Sequence, residues 1–243
     1  MGEYAEFVTV HYPNLFSYVV LLIHENAAGE ERMGSGVMVR MDGRHLIATA
    51  AHCMEHNPRL VVDADFYMNT NDKIVVNHPV KILRRWTHPD LDIGFLEVGR
   101  ALGTEMSEDQ LHSGTIAGGL LYVVGYPDCQ KEVNEPRKEI TLVKSAFGTT
   151  ERERTGSSLK LNYPTEGYRM EGNQWIKGPF IKRPHGFSGG GCFGVSNEGD
   201  AVPVIGYKLM GIQCAWHPGE RWVEVVPIRH WIEGVKSQFG VSP

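Results

Sequence analysis

Short apolar or alternating runs, each closed by turn residues, recur along almost the whole 243-residue chain, and helical spacing is found only near its end. The first half carries Tyr18-Val19-Val20-Leu21-Leu22-Ile23, Gly36-Val37-Met38-Val39, His45-Leu46-Ile47-Ala48-Thr49, Lys73 to Val76, Val80-Lys81-Ile82-Leu83 and Ile93 to Val98, with turn residues such as Asp42-Gly43 between them. Runs of this length read as strands, because side chains alternate between the two faces of a pleated chain. A second series follows: Leu120 to Val124, Glu139 to Phe147, Ser158 to Tyr163, Tyr168-Arg169-Met170, Gly191-Cys192-Phe193, Val204 to Leu209 and Trp222 to Val226. The stretch Gly99 to Gly119, rich in Gly, Ser and acids, reads as the connection, with one helical turn around Met106 to Leu111. Past Pro227 the residues Ile228, Trp231, Ile232 and Val235 fall at helical spacing and predict a short terminal helix. The pattern predicts a single all-β domain, with an N-terminal barrel over about 1–100, a connection over about 101–119, a C-terminal barrel over about 120–226 and a helix over about 227–238.

An apolar fraction of 42% and a charged fraction of 22% allow a sizeable core and exclude a disordered or collagen-like chain. A net charge of −5 gives no electrostatic reason to expect nucleic acid. Glu3 and Glu6 stand where a secretory signal would carry basic residues, and the run Tyr18 to Ile23 is too short for a signal core or a membrane span, so neither export nor membrane insertion is expected. Gly2 could open a myristoylation motif, but Glu6 occupies the place of its Ser or Thr. The cysteines Cys53, Cys129, Cys192 and Cys214 stand singly, with no CxxC pair and no zinc spacing, which predicts reduced thiols and no metal or cofactor.

Three further segments carry chemistry: Thr49-Ala50-Ala51-His52-Cys53, Asp90-Leu91-Asp92-Ile93-Gly94 and Gly186-Phe187-Ser188-Gly189-Gly190. A serine hydroxyl is a poor nucleophile at neutral pH; it needs an imidazole to take its proton and a carboxylate to orient that imidazole. Gly-x-Ser-x-Gly also describes the nucleophile elbow of the α/β-hydrolases, but those place the acid and then the histidine after the serine. Here about fifty residues follow Ser188, too few for that arrangement. The order Asp, His, Ser could be forced through Asp42, but that fold needs long amphipathic helices that this chain lacks.

The order His52, Asp92, Ser188, each inside its own segment, resembles the trypsin/chymotrypsin superfamily of serine peptidases. Gly34-Ser35-Gly36-Val37-Met38-Val39 followed by Leu46-Ile47-Ala48-Thr49-Ala50-Ala51-His52-Cys53 is most similar to its intracellular, Deg-type branch, and no appended PDZ domain is expected. The resemblance implies two six-stranded antiparallel barrels with the cleft between them, and serine endopeptidase activity on a protein or peptide substrate. Leu121-Tyr122-Val123-Val124-Gly125-Tyr126-Pro127 resembles the opening of the second barrel, whereas residues 128–180 match only loosely. In that family the acid directly precedes an apolar strand, which selects Asp92; Asp90, after Pro89, reads as a solvated turn residue. Gly186 and Ser188 are the implied oxyanion donors.

The resemblance also implies that Lys182, His185, Gln213, Cys214 and Ala215 line the substrate site. Basic groups in Lys182-Arg183-Pro184-His185 would favour an acidic residue before the scissile bond, although Lys and Arg usually point to solvent. Secreted relatives pair the cysteine after the catalytic histidine with one before the preceding strand, and Met33-Gly34-Ser35-Gly36 offers none. They also carry an aspartate before the serine, which pairs with a freed amino terminus; Phe187 cannot do so. A cytoplasmic enzyme that needs no N-terminal cleavage is therefore the expectation, and a pseudoprotease, a binding module on the same fold, is the alternative.

Overall fold

The computed structural model describes residues 15–26, 28–61, 65–68, 74–75, 80–114, 121–127, 131–134, 139–142, 145–164, 166–171, 174–179, 185–198 and 204–240. Two curled antiparallel sheets dominate. The N-terminal sheet has six strands in the order His56–Val61, Val19–Glu25, Glu31–Met41, Arg44–Thr49, Gly94–Val98, Ile82–Thr87. The C-terminal sheet has seven, in the order Ser145–Thr149, Leu121–Gly125, Gly191–Glu198, Val204–His217, Trp222–Pro227, Leu159–Asn162, Glu151–Arg154. The turn Asp42-Gly43, both residues with positive φ, joins Glu31–Met41 to Arg44–Thr49 in register Val37↔Ala48 to Met41↔Arg44.

Three apolar clusters hold these sheets. One lies within the N-terminal sheet and includes Leu22, Met38, Ile47 and Leu96. A second lies within the C-terminal sheet and includes Val123, Phe147, Leu161 and Phe187. The third is shared: Val37, Phe95 and Leu21 pack in one cluster with Tyr122, Phe193 and Leu209 from the other sheet and Trp231 from the terminal helix.

The helix, α1 (Ile228–Phe239), starts directly after Pro227 and ends at Gly240, whose positive φ of 67° closes it through a bond to the Lys236 carbonyl. It lies on the N-terminal sheet. Gly234 leaves room for the Trp86 ring, Phe239 packs at a tilt on Phe95 with ring centres 5.6 Å apart, and Arg44 and Arg84 cover the Phe239 ring at 4.1 and 4.6 Å. Arg44 also donates to the buried Glu97 carboxylate at 2.7 Å.

Several local expectations shift. The run read at Val80–Leu83 forms the strand Ile82–Thr87, and the turn around Met106 to Leu111 is a 3-10 turn, Glu108–Gln110, with Ser107 and Gln110 exchanging side-chain and backbone bonds. Glu139 to Phe147, read as one strand, is split between two sheets: Ser145–Thr149 joins the seven-stranded sheet. Glu139–Leu142 joins Lys131–Asn134, Asp65–Met68 and Ile74–Val75 in a four-stranded sheet drawn from both halves. Alternation marks a strand but does not name its partner. A hairpin of Glu166–Glu171 and Gln174–Pro179 completes the strands described.

Candidate active site

His52 sits in the single 3-10 turn Ala51–Met54 that follows Arg44–Thr49. Cys53 and Met54 are buried and anchor the turn, and the imidazole of His52 just before them is left partly exposed at its surface. Arg85 caps the turn's free carbonyls, donating through Nη1 to Met54 at 2.8 Å and Glu55 at 3.3 Å.

Asp92 holds His52 at two points. Its Oδ2 accepts the Nδ1–H at 2.6 Å and its Oδ1 accepts the backbone N–H of His52 at 3.0 Å. The first bond fixes the tautomer and leaves the Nε2 lone pair of the neutral ring free to take a proton. Burial pulls the imidazole pKa down, but the bond to Asp92 outweighs it, so His52 is held above its ordinary value. Burial conversely raises Asp92, and its bonds to His52 overcome that and hold it below the usual carboxylate range.

The loop that aims Asp92 is organised by His88, which the sequence reading passed over. Its Nδ1 accepts the backbone N–H groups of Asp90 and Leu91, each at 3.1 Å, and its own N–H donates to the Ile93 carbonyl at 2.9 Å. Asp90 is exposed, and Ile93 beside Asp92 is fully buried. Trp231 of α1 braces the strand after this loop by donating its indole N–H to the Gly94 carbonyl at 3.1 Å.

Ser188 stands in a tight turn whose flanking glycines take positive φ, 92° at Gly186 and 84° at Gly189. A Cβ on Gly189 would collide with the Ser35 carbonyl and the Thr49 hydroxyl, so only glycine fits there. The turn is stitched to both sheets. The Ser188 carbonyl accepts the Ser35 N–H at 2.7 Å and the Cys53 thiol at 3.4 Å, while Gly189 N–H donates to Gln213 at 2.8 Å and Gln213 N–H donates to Gly190 at 2.9 Å. Phe187 is 1% exposed and packs on Phe147 with ring centres 5.6 Å apart. Among the described residues neither the Gly186 nor the Ser188 N–H has an acceptor, and the Ser188 hydroxyl makes no hydrogen bond to His52.

Of the residues expected to line a substrate site, Lys182 lies outside the described residues, as does Cys129. His185 is exposed, edge-on to Trp216 at 6.1 Å. Gln213 is buried; its Nε2 donates to the Ala215 carbonyl at 2.9 Å and its Oε1 has no partner among the described residues. Cys214 is buried, with its thiol on the Glu224 carbonyl at 3.4 Å, and Ala215 is half-buried. Burial pushes the Cys192 thiol up to about 12 and raises Cys214 as well, so neither is a nucleophile at neutral pH. Along Val204–His217, pairing with Gly191–Glu198 stops at Ile212, and beyond it one side of the strand has no strand partner among the described residues. Such an edge can accept an extended peptide. Trp216, on that edge between Tyr163 and His185, was missed by sequence reasoning, which had only an aromatic beside the expected strand to go on.

A cleft of about 580 Å³ opens beside the His52–Asp92 pair, lined also by Met54, Glu55, Arg85, Thr87 and His88. No group of His, Cys, Asp and Glu among the described residues is placed to hold a metal ion, and no described helix is long and apolar enough to cross a membrane.

A family model for the trypsin-like peptidase domain matches residues 34–206. The chain belongs to the trypsin-like peptidase family. Solved structures agree in fold with this trypsin-like peptidase. HL collagenase superposes with a TM-score of 0.60 at 13% identity, over 94% of this chain and 95% of that one. The thermostable serine protease AL20 from an extremophilic microorganism gives 0.52 at 13%, over 87% and 90%. The scabies mite inactivated protease paralogue S-I1 gives 0.56 at 10%, over 93% and 96%. Likeness at these identities carries the fold of the trypsin-like peptidase and not its turnover. Among curated proteins, none matches the chain in sequence.

Proposed function

We propose that the chain is a serine endopeptidase in which Ser188, His52 and Asp92 form the catalytic triad. The observation that carries this reading is the two-point hold of Asp92 on His52, with Nε2 left free and the Ser188 loop bonded to Cys53, the next residue. Nε2 of His52 takes the hydroxyl proton as Ser188 Oγ bonds to the peptide carbonyl carbon. The oxygen that gains the negative charge is received by the N–H groups of Gly186 and Ser188. The C–N bond then breaks as His52 gives its proton to the leaving amine, leaving an acyl group on Ser188. A water loses a proton to His52, attacks the acyl carbon and releases the acid, and the proton returns to Ser188. The free edge beyond Gln213, from Cys214 to His217, is where the extended substrate would add as a strand.

The protein or peptide substrate would be met in the cytoplasm, because Cys53, Cys192 and Cys214 are free and buried and the motifs resemble the intracellular, Deg-type branch. Denatured protein from a reducing cell should then show four titratable thiols by mass spectrometry, and an intramolecular disulfide would contradict that placement.

The central test is a fluorophosphonate probe, which reacts only with an activated serine. Labelling of the wild type at Ser188, lost in Ser188→Ala and His52→Ala, is the expected result; no labelling of folded wild type would overturn the reading. One observation favours a second reading, a binding module without turnover: Ser188 and His52 are not hydrogen-bonded. Catalytic hydrogen bonds of this kind often close only around substrate, which is why the first reading is preferred.

A further inference from the structure

Ser35 is fully buried on the strand Glu31–Met41, and each of its polar groups is engaged. Its N–H donates to the Ser188 carbonyl at 2.7 Å, and its own carbonyl accepts the Thr49 hydroxyl at 2.6 Å. Its hydroxyl donates to the Gly186 carbonyl at 2.8 Å and accepts the N–H of Tyr126 at 2.9 Å. One side chain thus joins the N-terminal sheet to the turn that carries Ser188 and to the strand Leu121–Gly125 of the other sheet. The space around it is filled: a Cβ on Gly125 would press on both the Ser35 hydroxyl and the Phe187 ring.

The acceptor matters most. Gly186 has no Cβ to restrict it and sits at φ 92°, so its two flanking peptide planes can rotate at little steric expense. Among the described residues, the Gly186 carbonyl on Ser35, the Phe187 carbonyl on the Gly190 N–H at 2.7 Å and the buried Phe187 side chain hold that segment. The Gly186 carbonyl lies in the peptide plane between the one that carries the Gly186 N–H and the one that carries the Ser188 N–H, so a rearrangement of the turn that moved it off Ser35 would leave a buried hydroxyl and a buried carbonyl to find new partners.

We infer that Ser35 is a positioning residue for the oxyanion donors: through the Gly186 carbonyl, its hydroxyl keeps the Gly186 and Ser188 N–H groups facing the substrate carbonyl. This rests on the serine peptidase reading. Phe187 offers no carboxylate to lock the turn by an ion pair, and the lock is an apolar side chain on one side and the Ser35 hydroxyl on the other.

The test uses 4-nitrophenyl acetate, whose acyl group passes to Ser188 with release of nitrophenolate, so that the burst counts competent sites and its rate measures acylation. Ser35→Ala should keep a burst of one per folded chain while acylation per titrated site falls by about 10- to 100-fold, short of the loss of a donor itself. Ser35→Cys, close in size and a weaker donor, should fall in between. An undiminished rate per titrated site in both variants, or loss of folded protein in both, would assign Ser35 to stability alone and overturn the proposal. A wild type with no burst would overturn the peptidase reading and this proposal with it, which separates the two failures.

Discussion

The protonation of His52 is a contest between burial, which disfavours the imidazolium, and Asp92, which favours it, and Asp92 wins. With the neutral ring as the proposed base, the rate should rise with pH through a midpoint above the ordinary imidazole value of about 6.5. Asp92→Asn removes the strongest partner that raises His52 and leaves burial opposed by the neighbouring Cys53 alone. The midpoint in kcat/KM should therefore move downward while turnover falls by about 10⁴; a midpoint that stays put would mean that the pair does not govern the base. Ser188→Ala and His52→Ala should each cripple turnover, and their combination should add little, because the groups act as one unit. Phe187 makes a separate point. Phe187→Asp would put an unpaired carboxylate where the wild-type side chain is 1% exposed, and should destabilise the fold by at least about 3 kcal/mol in denaturant titration. A stable variant activated by N-terminal trimming would show that the position still accepts the ion pair of secreted relatives. The candidate residues His52, Asp92 and Ser188 could be picked out because the chemistry proposed for them demands particular residue types in short motifs. Ser35, His88 and Trp216 were not, because a hydroxyl, an imidazole nitrogen or an indole that organises backbone from a distance leaves no local pattern.

Among the elements, the strands were legible where one face is apolar and the turn is marked, as at Val37–Val39 and Leu46–Thr49 around Asp42-Gly43. Partners were not, and the four-stranded sheet that unites Asp65–Met68 with Glu139–Leu142 shows why: pairing across more than seventy residues depends on where the remainder of the chain goes. The helix α1 was legible from Ile228, Trp231, Ile232 and Val235, but its tie to the acid loop was not. Trp231→Phe keeps the ring and removes the donor to Gly94, so it should cost about 1–2 kcal/mol of stability by orphaning a buried carbonyl. If that carbonyl also steadies the segment after Asp92, acylation measured on folded protein should slow by less than about tenfold; a stability loss near zero would show that water replaces the indole.

At the scale of the molecule, the proposed catalytic groups come from both halves, His52 and Asp92 from one and Ser188 from the other, so the candidate site exists only while the sheets keep their relation. That relation is carried by the shared cluster in which Val37, Phe95 and Leu21 meet Tyr122, Phe193 and Leu209, with Trp231 and Ile228 from the helix end. It is carried too by bonds that cross between the sheets at Ser35, Cys53 and Ser188. Each sheet has a smaller cluster of its own, but the shared one is larger than either, and separating the sheets would expose it to water. The two halves should therefore unfold together. Tryptophan fluorescence reports from both sides, Trp86 and Trp231 against the N-terminal sheet and Trp216 and Trp222 on the C-terminal one, and should give a single urea transition that coincides with loss of fluorophosphonate labelling. Phe193→Ala, which opens the shared cluster from the C-terminal side, should lower that one midpoint by about 3–5 kcal/mol of stability without splitting it. Two resolved transitions, or labelling that vanishes while the fluorescence of one half is unchanged, would mean that each sheet folds alone and that the site is assembled by docking.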